Sequence, residues 1–136
     1  MMSMEEMKKF VGGKGKPSVF EIDRTMIKRY CEAIGDPSPK WNDTFPPGLL
    51  TAAMLMGEAA AMPPFPYPGI VDAGGEWEFF KPIKVGDIIT VVNEFTGVDD
   101  KSTEKRKMLL FSMKSTYTNQ KKEVVAEARG RVMNLG

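Results

Sequence analysis

The sequence predicts an α+β fold in which a curled antiparallel sheet wraps a buried central helix. Three observations carry this expectation. Apolar residues recur at helical spacing in two segments of the first half and on alternate positions in segments of the second half. The second helical segment is apolar nearly all round, so it must be covered on every side. The 136 residues, 42% apolar and 27% charged, suffice for one domain with a real core and no disulfide or metal staple.

Residues 1–10 read as a loose lead-in and 11–136 as a single domain. Of the 11 methionines, those in the first seven residues are expected to fray, and Gly12, Gly13 and Gly15 block regular structure up to residue 15. Ser18 to Ile22 is a short strand. Asp23 is a good helix N-cap, and Met26, Ile27, Tyr30, Ala33 and Ile34 follow as one apolar stripe. Gly35 is the expected stop. Asp36 to Pro47 is a loop, because Pro37, Pro39, Pro46 and several Asx residues cannot sustain a helix.

A second helix starts at Pro47 or Gly48 and runs to about Met62, with Pro tolerated in its first turn. The run PPFPYPG (63–69) ends it. From there the period changes to two. Glu76 to Phe79 alternates, and Ile88 to Phe95 is β-branched. Leu109, Phe111, Met113, Ser115 and Tyr117 share one face, as do Val124, Ala126, Ala128, Gly130 and Val132. Turns fall at Pro82–Gly86, Asp99–Ser102 and Asn119–Lys122. A meander that follows an apolar helix covers it by curling round it, which is the hotdog architecture. Its open edge strand calls for a second hotdog, so a dimer is expected.

Composition excludes whole classes of chemistry. The chain has no His, so no His-based general base, nucleophile–base pair or metal site arises from this chain alone. A single Cys excludes internal disulfides and zinc-ribbon spacings, and no metal is expected. A net charge of +1 gives no reason to expect nucleic acid or an acidic membrane surface. The apolar stretch Leu49 to Met62 is broken by Gly57 and Glu58 and falls short of the roughly 20 residues a span needs. MMSMEEMKKF lacks a signal-peptide core, so the expected compartment is the cytoplasm, where Cys31 stays reduced.

Two stretches carry a family resemblance. YCEAIGDPSPKWND (30–43) resembles the hydratase motif of the MaoC-like (R)-specific enoyl-CoA hydratases and dehydratases. Gly35-Asp36 and Pro39 match that motif, Ser38 replaces its Asn, and Trp41 stands where its His belongs. GGEWEFFKPIKVGDIITV (74–91) resembles the aromatic strand, Pro turn and Gly-Asp strand start of the N-terminal half of such dehydratases. The resemblance implies a hotdog fold and a 2-enoyl or 3-hydroxyacyl thioester ligand, on CoA or an acyl carrier, with no further cofactor. It also implies that an Asp and a His hold the water that adds across the C2–C3 double bond, and that backbone N–H groups at the start of the buried helix polarise the thioester carbonyl. Unpaired N–H groups at a helix N-terminus suit that task.

Carried over residue by residue, Asp36 takes the Asp role, and Trp41, Pro47, Gly48 and Leu49 are the substrate-binding set. Trp41 cannot take the His role, because an indole N–H donates but has no basic site. Losing such a partner costs about 10²–10⁴-fold in rate. The resemblance supplies an answer: some enzymes of this type pair a hotdog bearing the Asp/His dyad with one that has lost it. This chain is therefore expected to be a non-catalytic or half-catalytic subunit that needs such a partner. An acyl-CoA thioesterase using Glu58, a divergent hydratase using Asp36 alone, and a stand-alone acyl-CoA-binding protein are the alternatives.

Each residue also has a plainer reading. Asp36 can be a turn residue, and Trp41 can pack over the loop. Glu58, the lone charge on an apolar helix, either emerges at the surface or faces a cleft. Lys101, Lys105, Arg106 and Lys107 form a solvated turn or meet CoA phosphates.

Overall fold

The computed structural model describes residues 1–50 and 57–136. Period-two alternation builds its sheet. Strands β1 (Ser18–Glu21), β2 (Gly69–Phe79), β3 (Ile88–Asp100), β4 (Met108–Thr118) and β5 (Val124–Leu135) pair antiparallel in the order β1-β3-β4-β5-β2. This curled five-stranded sheet is the hotdog fold. On β4 the expected inward residues Leu109, Phe111, Ser115 and Tyr117 are buried. On β5 the pairing slips between Tyr117 and Thr118, so Val125 and Ala126 are both buried and Val124, expected inside, is exposed. Among the described residues no helix is long and apolar enough to cross a membrane.

Helix α2 (Arg24–Ile34) is bounded as its sequence dictates. The Asp23 carboxylate accepts from the Met26 N–H at 2.8 Å, and Gly35 ends the helix at φ 72°. Its buried face is narrower than the periodicity suggested. Ile27 is buried and Met26 and Cys31 pack beside it, whereas Ala33 and Ile34 face solvent. The last turn leaves the sheet and carries the chain towards the Asp36 loop.

The N-terminus is ordered, contrary to the expected loose lead-in. Helix α1 (Met4–Lys8) is capped by the Ser3 hydroxyl, which accepts from the Glu6 N–H at 3.2 Å. Met7, only 2% exposed, packs with Phe95, Val98, Leu109 and Phe111. Met7 is thus core, not fray. The glycine run then follows β3: Gly12 N–H donates to Phe95 O, Phe95 N–H to Gly13 O, and Gly15 N–H to Asn93 O. Gly13 lies so close to Ala61 O that a Cβ there would overlap it. The glycines end regular helix, as expected, and they also permit this close backbone packing.

Leu49 and Leu50 are helical, within two residues of the expected helix start at Pro47 or Gly48, and Leu50 is fully buried. The middle of the expected helix, 51–56, lies outside the described residues. Its expected continuation to Met62 is not present: residues 57–62 are not helical. There the Asn93 amide donates to Glu58 O at 2.8 Å and the Gly12–Gly15 segment runs alongside. Those backbone contacts compete with a helical continuation. Two apolar clusters result on the sheet's inner face. One gathers Ile27, Phe45, Leu50, Val91 and Tyr117, and the other surrounds Met7. Asn93 and Ser115, bonded to each other at 2.6 Å, lie along β3 and β4 between them.

Candidate functional site

The site is built on the turn that follows α2. The Asp36 N–H donates to Cys31 O at 2.9 Å, which folds the chain back over the end of the helix. Asp36 Oδ1 accepts from the Ser38 N–H at 3.0 Å, a local Asx turn. A short 3-10 turn, Pro39–Trp41, then swings the indole round so that Trp41 Nε1 donates to Asp36 Oδ2 at 2.8 Å. The Lys40 ammonium lies over the Trp41 ring, 4.7 Å from its centroid. The sequence placed Asp36 and Trp41 five residues apart on a loop; the structure joins them directly.

The electrostatics follow from these donors. The Ser38 backbone N–H, then the Trp41 indole N–H, hold the Asp36 carboxyl below its ordinary value of 3.8. Partial burial pushes the other way, and Lys40 adds a smaller lowering. Asp36 is therefore a charged, well-solvated-by-protein carboxylate and a weak base. Trp41 holds it in place but can neither take nor relay a proton. The pair can orient and accept hydrogen bonds; it cannot replace an Asp/His dyad.

Two cavities meet at Trp41. The larger, about 730 Å³, lies between α2 and the Asp36 loop, with Arg24, Lys28, Cys31, Asp36 and Asp43 among its lining. Arg24 and Asp43 form an exposed ion pair across it at 2.7 Å. The smaller, about 320 Å³, is mostly apolar and lies among Trp41, Phe45, Pro47, Leu50, Phe79 and Ile83. Sequence reasoning missed Arg24 and Lys28; their i, i+4 spacing on α2 was the signal that could have found them.

The other expected residues divide. Pro47 lines the apolar cavity, but Gly48 and Leu49 do not. The space beside Gly48 is taken by the Tyr30 hydroxyl, which a Cβ would strike. The N–H groups of Leu49 and Leu50 are already engaged, donating to Pro46 O at 3.0 Å and Pro47 O at 3.1 Å. The glycine accommodates a tyrosine, and these donors close a turn. Glu58 is exposed, lies outside any helix and lines neither cavity; the structure does not bring it to Asp36. The basic hairpin residues Lys101, Lys105, Arg106 and Lys107 are exposed as well, and they too line neither cavity.

A family model described as the FAS1-like dehydratase domain region matches residues 9–128. The chain belongs to this dehydratase family. Solved structures support the fold. A chain of the ChsH1–ChsH2 complex from Mycobacterium tuberculosis superposes with a TM-score of 0.76 at 21% identity, over 96% of this chain and 88% of that one. The MaoC-like dehydratase from Rhodospirillum rubrum gives 0.70 at 20% identity, over 91% of each chain. A chain of the HadBC (3R-hydroxyacyl-ACP dehydratase) complex from Mycobacterium tuberculosis gives 0.62 at 18%, over 93% and 98%. No curated protein matches the chain. Within this dehydratase family, the Asp36–Trp41 pair is the feature that any account of activity has to explain.

Proposed function

We propose that this dehydratase-family chain is the binding half of a two-hotdog enzyme that hydrates 2-enoyl thioesters or dehydrates 3-hydroxyacyl thioesters. The partner hotdog carries the proton-transferring dyad. The observation that carries the reading is Asp36 itself. Both of its oxygens are engaged, one by the Ser38 N–H at 3.0 Å and one by the Trp41 indole at 2.8 Å, and the second donor has no basic nitrogen. The cavities on either side of Trp41 suit an elongated ligand with one polar and one apolar end. The acyl group lies in the cavity beside Phe45 and Leu50, and the carrier end in the groove beside Arg24 and Lys28. No cofactor beyond the thioester is required, and the setting is cytoplasmic, where Cys31 stays a free thiol. Two of the solved neighbours are themselves complexes, ChsH1–ChsH2 and HadBC, which agrees with a paired arrangement.

The test is an assay of the purified chain with crotonyl-CoA and longer 2-enoyl-CoAs, following loss of enone absorbance and release of free thiol. The expected result is binding by calorimetry without turnover. Hydration by the chain alone, lost in Asp36→Ala, would replace the subunit reading with a self-sufficient hydratase. Thiol release lost in Glu58→Ala would make it a thioesterase.

A further inference from the structure

The free edge of β2 carries a charge pattern that bears on which partner it takes. Among the described residues only β5 pairs with β2, which leaves eleven residues of backbone edge unpaired on its other side. Edge strands of that length are normally covered. This one is also apolar: Ile70 is 60% exposed, Val71 50%, Phe79 47%, and Phe80 just beyond the strand 50%. Trp77 and Phe79 stack at 7° on the same face of the strand. A surface of this kind is a docking surface for another sheet.

The opposite face of the Gly75–Phe79 half is acidic, carrying Glu76 and Glu78. Asp72, the one other charged residue of β2, stands opposite Val132 before the register shift and shares the face of Trp77, which stands opposite Ala128. Glu76 bonds Arg131 at 2.9 Å, and Glu78 lies 3.7 Å from Arg129. Both arginines stand on β5, behind β2 as seen from the free edge. The carboxylates are therefore the charges nearest an incoming strand. A register shift between Asp72 and Gly75 separates the Glu-bearing half from the rest.

Consider a second copy of this chain docking on that half. A two-fold axis pairs the strands antiparallel, and residues directly opposite share a face. An axis through Glu76 sets Glu76 against Glu76. An axis through Trp77 sets Glu76 against Glu78 twice. An axis through Glu78 sets Glu78 against Glu78. Like charges directly opposite are destabilising. A different hotdog with Lys or Arg at those positions turns each clash into a pair, while Trp77 and Phe79 still gain cover.

We infer that β2 selects a different hotdog chain whose facing edge strand is basic, and that its acidic face discourages self-pairing. This rests on the two-hotdog reading above and names the chemistry of the partner.

The probe is a charge-reversed copy of this same chain, Glu76→Lys/Glu78→Lys, mixed with the wild type and followed by sedimentation equilibrium in low salt. The mixture is expected to form one-to-one dimers about three- to tenfold tighter than either chain alone, from the one or two cross-strand contacts that each axis converts. The gap should narrow at high salt. A wild type that self-associates as tightly as the mixture overturns the inference, as does a folded variant that gains nothing on mixing. If circular dichroism shows the reversed variant unfolded, Glu76→Gln/Glu78→Gln serves instead. Neutralisation should then tighten self-association, and an unchanged constant overturns the inference. No thioester or turnover enters this measurement, so its failure stays distinct from failure of the hydratase reading.

Discussion

The two edges of the sheet are finished in different ways. At the β1 edge the strand is four residues long, and the Gly12–Gly15 segment continues the pairing along β3 as far as Phe95. Helix α1 then seals that end of the core with Met7. At the β2 edge eleven residues have no strand partner on their outer side among the described residues, with Ile70, Val71 and Phe79 exposed along it and Glu76 and Glu78 on the face opposite Phe79. The chain's own N-terminus extends one edge along β3, while the β2 edge is a single long strand with no such addition among the described residues. The candidate site lies nearer the β2 side, since Phe79 and Phe80 help line the apolar cavity that Trp41 borders. Covering that edge would enclose the cavity, so assembly and ligand binding are coupled in this account.

The sharpest way to break this comparison is to truncate one residue at each edge. Met7→Ala empties a fully packed position and should cost about 2–5 kcal/mol in urea denaturation of the isolated chain. Phe79→Ala, half exposed, should cost roughly 1 kcal/mol or less in the same measurement. Equal losses would mean the edges do not differ in the way described. On the β1 side, Asp23→Ala removes the α2 cap and should lower stability by about 1 kcal/mol, read as a shift of the urea midpoint without change of slope.

Smaller effects concern the site. Asp36 titrates below its ordinary 3.8 in the folded chain, so its contribution to stability is complete above that value. That contribution is lost as the pH falls through the lowered folded value. Trp41→Phe removes one of the two donors. The Asp36 carboxyl should move part of the way back towards 3.8, leaving the Ser38 contribution in place, and the acid-side loss of stability should shrink. Carboxyl-carbon NMR titration checks the first and acid unfolding the second. Smallest of all, Glu58→Ala should change stability by no more than about 0.5 kcal/mol, because the side chain is exposed and only its backbone oxygen is used.

Much of this was legible in the sequence because it depends on local rules. The caps at Asp23 and Gly35, the alternation on β4 and the hotdog order follow from side-chain chemistry and period. The Asp36–Trp41 pairing was half legible: a motif comparison locates Trp41 where a His belongs, and only the 3-10 turn shows that its indole reaches the carboxylate. What escaped depends on contacts distant in sequence. Met7 reads as a frayed end until Phe95 and Phe111 surround it. Gly48 reads as a place for close backbone approach, and the Tyr30 hydroxyl beside it, where a Cβ would stand, becomes visible only in the structure. Glu58 reads as a helical carboxylate until the Asn93 amide engages its backbone oxygen. Propensity and spacing cannot report partners that lie on another strand.

A site that holds a thioester without processing it is the core of the proposed function. Crotonyl-CoA titrated into the isotopically labelled chain reads both halves in one NMR sample, through the indole N–H resonance of Trp41 and the vinyl protons of the ligand. The prediction is a saturable shift of the Trp41 resonance while the vinyl signals persist. Conversion of those signals to a 3-hydroxyacyl product by this chain alone, or an indole resonance that never moves, would contradict it.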